Sequence, residues 1–443
     1  MPYTHTSWST LRTYLSEYLN DTGKVFWVDD ELKAHLTEAL RTWGALTAYW
    51  RERGTFVTAN ATPFYLLRTQ LSSLLGAAAT DHDIIKVIQY NLLESAVSQS
   101  SWAGTEMFTL PDVRDALAHA RDDFLVSSGV VLTRSASINM PPPSVSRVSL
   151  PDTIMDVRRV VWQSADGSYS HLWREDDWKI NSLLTTIQQS TPGTPIAYSI
   201  AATRPVEIQV FPPPSVNATL DVISVSSGAA LDPANSATVL GVPDGLTWIP
   251  KWRALASLLS DTGQSADQTR RGIAQRLYEL GLEAVQLYPI VFQVQIQGVA
   301  TILDTLHSLD AFHANWQGDV AAQPTRLALT GDILAAYPTP DGIYSVTLDM
   351  VRNAPIPALD ADFVQIGREE LDAIITYAGF LAVFKEGGAE AVHALENAQS
   401  FFRAAIRYGE RMGASVSNAR TLLSLSGREE QERPRMVSEE VTT

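Results

Sequence analysis

From Leu11 to Phe124, apolar positions recur at helical spacing. Leu11, Tyr14, Leu15, Tyr18 and Leu19 fall at i, i+3, i+4, i+7 and i+8, the signature of one apolar stripe on a helix. Thr22-Gly23 ends that helix, and Asp29 or Asp30 can cap the next, whose stripe is Leu32, Leu36, Leu40, Trp43, Leu46 and Trp50. Gly54 closes it, and a third helix is expected over Phe64–Leu75. A fourth starts at Asp81 with Ile84, Ile88 and Leu92 inward. A fifth opens at Thr109-Leu110-Pro111-Asp112, which reads as a capping box with an early proline, and stops at Gly129.

The period changes after Pro141-Pro142-Pro143. Val157–Trp162, Val206–Val210 and part of Ala218–Val225 read as strands, separated by turn signals at Asp166-Gly167 and Pro192-Gly193. Helical spacing returns at Leu246–Leu259, and a second helix carries Ile273, Leu277 and Leu280. Phe292, Val294 and Ile296 then alternate with glutamines, as in a strand. Another helix pair follows, with Leu371, Ile374, Ile375 and Ala378 before Gly387-Gly388, and Val392, Leu395, Phe402 and Ile406 after it. The expected class is α+β: an N-terminal helical bundle with two β domains, each followed by a helix pair. The boundaries read as 1–140 for the helical region, 141–230 for the first β domain and 231–286 for the first helix pair. The second β domain is placed at 287–355, the second helix pair at 356–413 and an extended tail at 414–443.

The recurrence of a β block and a helix pair points to an internal duplication. Val206–Pro214 resembles Asp332–Pro340, sharing an aromatic-Pro-x-Pro run at Phe211 and Tyr337. Thr219-Leu220-Asp221-Val222 resembles Thr347-Leu348-Asp349-Met350, and Asp176-Asp177-Trp178 is matched upstream with Asp310-Ala311-Phe312. With only two copies the chain is not a solenoid.

Charge and composition narrow the functional classes. Hydrophobic residues make up 45% of the chain and charged residues 19%, which is globular composition. The net charge of −16 disfavours a broad basic surface for gripping nucleic acid, while leaving room for a passage through which DNA moves without sticking. No cysteine is present, which removes disulfides, thiol nucleophiles and cysteine-bearing zinc sites. No signal peptide and no membrane-spanning apolar run are read, so a soluble protein is expected.

Candidate chemistry is sparse. No phosphate-binding glycine motif and no H-E-x-x-H occur. Asp304, His307, Asp310 and His313 recur every third residue, a spacing that spreads them around a helix instead of converging them on one metal. Glu175-Asp176-Asp177 reads as a solvated turn with Trp173 and Trp178 packed beneath, and Asp81-His82-Asp83 as a helix start. No catalytic, cofactor or metal residue is therefore expected. In the polar tail, Leu422, Leu423 and Leu425 form an apolar cluster that could order on a partner.

Several stretches resemble a known family. Trp8-Ser9-Thr10-Leu11-Arg12, Leu19-Asn20-Asp21, Phe26-Trp27-Val28-Asp29-Asp30-Glu31-Leu32 and Thr37-Glu38-Ala39-Leu40-Arg41-Thr42-Trp43 resemble the opening of head–tail adaptor (connector) proteins of tailed bacteriophages. Leu150-Pro151-Asp152-Thr153, leading into Val157-Arg158-Arg159-Val160-Val161-Trp162, is similar to their later β region. Gly245–Leu280, with Trp252, Leu255, Leu258, Leu259 and Thr262-Gly263-Gln264, is similar to the helices that follow it. The resemblance implies a ring under the portal, expected as a dodecamer, that extends the DNA channel and receives the next neck or tail protein. It also implies assembly in the host bacterial cytoplasm, residence in the virion neck, transient passage of double-stranded DNA, and docking of the tail cluster Leu422, Leu423 and Leu425 on the portal. The second block and the polar tail go beyond short adaptors, which keeps minor-capsid and tail-completion roles open. A soluble interaction module and a β-rich enzyme are the rival classes.

Overall fold

A computed structural model describes residues 5–76, 79–93, 107–140, 146–165, 167–176, 178–179, 191–201, 205–232, 237–260, 267–285 and 288–411. In chain order it begins with α1 (Trp8–Tyr18), α2 (Asp29–Thr47), β1 (Arg51–Val57) and β2 (Phe64–Leu66). Two short helical turns, Leu67–Gln70 and Ser72–Leu75, follow β2. Next come α3 (Asp81–Asn91), α4 (Leu110–Ser128), β3 (Thr133–Asn139), β4 (Arg147–Ser149), β5 (Ile154–Ser164) and β6 (Tyr169–Arg174). Then β7 (Ala197–Ala201), β8 (Glu207–Phe211) and β9 (Ala218–Ser226) lead to the helix pair α5 (Trp248–Leu258) and α6 (Gln268–Ala284). The chain continues through β10 (Val291–Ile296), β11 (Val299–Ala300), β12 (Ile302–Thr305), α7 (Leu306–Phe312), β13 (Arg326–Thr330), β14 (Ile333–Tyr337) and β15 (Ser345–Val351). It closes with α8 (Arg368–Val383) and α9 (Gly388–Arg411). The class is α+β, as the alternation of periods predicts.

Helix starts follow their local chemistry. Thr80 and Thr109 cap α3 and α4 in capping boxes completed by Asp83 and Asp112, and Gly129 stops α4 in the left-handed region at φ 60°. The Ser7 hydroxyl accepts from the Thr10 amide at the start of α1, and Asp29, Asp30 and Glu31 occupy the first turn of α2, where carboxylates complement the helix dipole.

The strand order exposes a duplication larger than the sequence motif indicates. Residues 79–285 form one seven-stranded sheet in the order β3-β9-β5-β6-β7-β8-β4. The other described residues form two four-stranded sheets, β1-β15-β10-β11 and β12-β13-β14-β2, which repeat that order with a break where β6 is replaced by β11 and β12. Pair by pair the senses agree: β5–β9 and β10–β15 are antiparallel, β6–β7 and β12–β13 parallel, β7–β8 and β13–β14 antiparallel. The helices agree as well. α1 and α3 each span 11 residues, α2 and α4 each 19, and the bridge from Ser7 to Phe363 is repeated by the bridge from Thr80 to Val239. Both aromatic–proline bonds of the repeated motif, Phe211–Pro212 and Tyr337–Pro338, are cis. One complete copy is thus inserted inside the other. The inner copy, 79–285, leaves the outer one after β2, and the outer copy resumes at β10.

This nesting corrects two local expectations. Phe64–Leu75 is not a single helix: Phe64, Tyr65 and Leu66 pair with Ala335, Leu334 and Ile333 before the chain turns. Arg51–Val57, within the stretch expected to be helical, is a strand along β15 with Gly54 and Phe56 facing inward. Pairing with a strand that lies beyond the whole inner copy overrides weak local propensity. The match of Asp176 with Asp310 is also out of register. Trp173 pairs with Ala197, the first residue of β7, and Ile302 with Arg326, the first residue of β13, which makes Thr305 the counterpart of Asp176. Both of those residues accept from an amide of the following turn.

Three cores result. The largest gathers the helices of both copies around Trp43, Trp248, Trp252, Tyr377, Phe380 and Phe401. The outer β core centres on Phe56, Tyr65, Leu334 and Leu348, and the inner one on Val157, Trp162, Ile208 and Leu220. Among the described residues no helix is long and apolar enough to cross a membrane.

Candidate functional site

The charged side chains that the sequence leaves unassigned meet at two seams between the copies. The first runs along α2. Glu31 and Glu38 lie two turns apart on one helix face, and both are buried. The Lys385 ammonium, just after α8, donates to Glu31 at 3.0 Å and to the Phe26 carbonyl at 2.9 Å. Lys251, on α5 of the inner copy, is fully buried and donates to both oxygens of Glu38 at 2.6 and 2.7 Å. Its ammonium also lies 3.9 Å from the Trp252 ring centroid. Burial pushes the Lys251 pKa down, and the Glu38 carboxylate pulls it back up. His35, fully buried one turn from Glu31, places Nε2 3.4 Å from its carboxylate. Arg41 reaches Asp244 of the inner copy at 3.0 Å.

The second seam joins the β regions. Arg159 on β5 donates to both oxygens of Asp310 on α7 at 2.7 Å, a bidentate geometry suited to guanidinium and carboxylate. Trp316 Nε1 donates to the same carboxylate at 2.9 Å. Arg159 also donates to the Gln317 side-chain oxygen, and Gln317 donates to Asp221, which Arg134 holds through two bonds of 2.9 Å. His171 Nε2 lies 3.6 Å from Asp310. Burial holds the imidazole pKa below its ordinary value, with Asp310 opposing that shift. A third link is Asp332 of the outer copy, which accepts from the Leu132 amide at 2.9 Å and pairs with Arg68.

These contacts decide the candidates raised by the sequence. Asp310 is withdrawn into the second seam, Asp304 lies 3.7 Å from Arg326, and His313 pairs with Asp319 at 2.7 Å, so the regularly spaced set is split among separate partners. Among the described residues no group of histidine, aspartate and glutamate could hold a metal ion. Trp173 and Trp178 are not packed beneath the acidic turn: they are 49% and 77% exposed. The helix start at Asp81 forms as expected. Leu422, Leu423 and Leu425 lie outside the described residues.

The seams themselves escape a sequence reading, because their partners stand 151 and 213 residues apart. One signal was available. Arg159 sits in the apolar run Val157–Trp162, and an arginine in such a strand needs a buried partner.

Two outcomes follow. Arg159→Ala strands a buried carboxylate and is expected to lower stability by about 3–5 kcal/mol, read from equilibrium urea unfolding. His171 is held below its ordinary pKa of 6.5, so the unfolded chain binds the proton more readily than the folded one once pH falls through 6.5. Acidification from pH 7 to pH 5 therefore removes stability through this residue, and His171→Gln should lose less over the same interval in the same assay. No family model matches the chain, and no curated protein compared with it matches.

Proposed function

We propose that this chain is a structural subunit of a tailed-phage particle, a head–tail adaptor that forms a ring under the portal, extends the DNA channel and receives the next neck or tail protein. The observation that carries the reading is where the adaptor-like residues lie. Trp8, Leu11, Leu32, Leu40 and Trp43 form the buried faces of α1 and α2, Val157–Trp162 lies within the interior strand β5, and Trp252, Leu255 and Leu280 line the α5–α6 pair. The resemblance thus rests on the framework of the repeated module, divided between its two copies.

The chemistry agrees with an architectural role and no catalysis. Glu38, Lys251, Arg159 and Asp310 are engaged as partners that hold one copy on the other, and Glu31 pairs with Lys385 within the outer copy. A second copy adds contact surface without adding a reaction. A net charge of −16 favours a passage that repels the phosphate backbone over one that binds it. The expected partners are the portal, the next neck protein and further copies of this chain, in a dodecamer.

Quantitative mass spectrometry of purified particles from the source tests this. A copy number equal to that of the portal is expected. Hundreds of copies would move the chain to the capsid or tail tube, and absence would sink the virion reading. Deleting residues 414–443 tests the anchoring role of Leu422, Leu423 and Leu425: heads and tails should accumulate unjoined, and normal joining would overturn that role.

A further inference from the structure

The inner copy docks on the outer copy through a contact whose two halves each have an unused duplicate on the same chain. The inner copy contributes α3, the segment 239–247 and the start of α5. Ile84 and Val87 of α3 line a cavity with Ala34 and Thr37 of α2, and Lys86 reaches Asp30 at 3.5 Å. Asp244 binds Arg41, Lys251 binds Glu38, and Trp252 stacks edge-on against Phe384 with ring centroids 4.9 Å apart. The receiving half is α2 with the α8–α9 pair beside it.

The contributing half is duplicated by α1, the segment 359–367 and the start of α8. Counting from the equivalent caps Ser7 and Thr80, Tyr14 holds the place of Val87. Val87 is 6% exposed against α2, whereas Tyr14 is 43% exposed. Beside the start of α1, Phe363 is 63% exposed, where its duplicate Val239 is 41% exposed, and Leu359 is 67% exposed.

The receiving half is duplicated by α4. Counting from the caps Val28 and Thr109, Leu32, Leu36, Ala39 and Trp43 correspond to Val113, Leu117, Ala120 and Phe124, all buried. The neighbouring stripe differs. Glu31, His35, Glu38 and Thr42 are buried on α2, while their duplicates Asp112, His119 and Asp123 are exposed and Ala116 is half-buried. Beside them opens a groove of about 260 Å³ that also involves Arg253 and Arg271.

The contact runs in one direction. α2 packs on α3, but among the described residues α4 makes no comparable contact with α1. A heterologous contact of this kind leaves one contributing and one receiving face open at the ends, and repetition closes a ring or extends a filament.

We propose that the two open faces bind each other between chains: α1, Phe363 and the start of α8 of one molecule dock on α4 and its groove in a second copy of this chain. Between molecules this repeats the contact that the two copies make within one. The charges fit, since Glu369, Glu370 and Asp372 at the start of α8 would meet a groove carrying His119, Arg253 and Arg271, in which Asp123 already pairs with Arg253 at 3.0 Å. The proposal rests on the ring reading above for closure, while the contact itself is measured on the isolated chain.

The absence of cysteine allows a direct test. Val87 and Thr37 line one cavity, so their duplicates Tyr14 and Ala118 should approach across the contact. Full-length Tyr14→Cys and Ala118→Cys chains, mixed and oxidised, are expected to give a linked dimer that neither forms alone. Light scattering should find wild-type assemblies at multiples of 48.5 kDa. Tyr14→Glu combined with Phe363→Glu should reduce them to single chains with an unchanged circular dichroism spectrum and melting temperature. A wild-type chain that stays monomeric at every concentration, together with no cross-link between the two cysteine variants, overturns the proposal. So does an assembly that persists in the double glutamate variant. Particle mass spectrometry addresses the neck reading separately, so either can fail alone.

Discussion

Glu38 and Asp310 are carboxylates removed from water at the two places where one copy of the module meets the other. Withdrawing a charge from water costs several kcal/mol, and the cost is recovered only with a close, correctly oriented partner. Lys251 and Arg159 supply that partner from the opposite copy, at distances of 2.6 to 2.7 Å. Any rotation or slip of the inner copy on the outer one would leave a buried charge unmatched. Apolar packing around Trp252, Phe380 and Phe384 holds the copies together, and the ionic pairs select one arrangement among the many that such packing would tolerate.

The nested topology gives that arrangement its connectivity. The chain leaves the outer copy after β2, completes the inner copy, and returns to pair β10 with β15 and β14 with β2. The outer copy's sheets therefore close only after the entire inner copy has intervened. That intervening chain carries its own helix pair and sheet, so closure does not draw on a flexible loop. The two links entering and leaving the inner copy keep it tethered beside the outer helices, where α6 packs on α9.

The one-directional contact between duplicated halves is the contact that the proposed assembly would repeat between chains. The faces that α2 and α3 bury inside the chain recur, open, as α4 and α1. The adaptor-like residues lie in part in the same helices that build these faces.

Local chemistry determined a good part of this protein. Capping boxes at Thr80 and Thr109, the left-handed stop at Gly129 and the helical stripes of α2 and α4 depend on residues a few positions apart, so they are legible in the order of amino acids. The α+β class and the repeated aromatic-Pro-x-Pro strand ends are legible for the same reason. Tertiary structure alone decided that Arg51–Val57 and Phe64–Leu66 are strands, because their hydrogen-bond partners arrive only once the inner copy is complete. It also decided the register that makes Thr305 the counterpart of Asp176, since a parallel pairing leaves no local mark of which residues are joined. The partners of Glu38 and Arg159 were hidden likewise. A charge in an apolar stretch announces that it needs a partner, but only the packed copies bring Lys251 and Asp310 within reach.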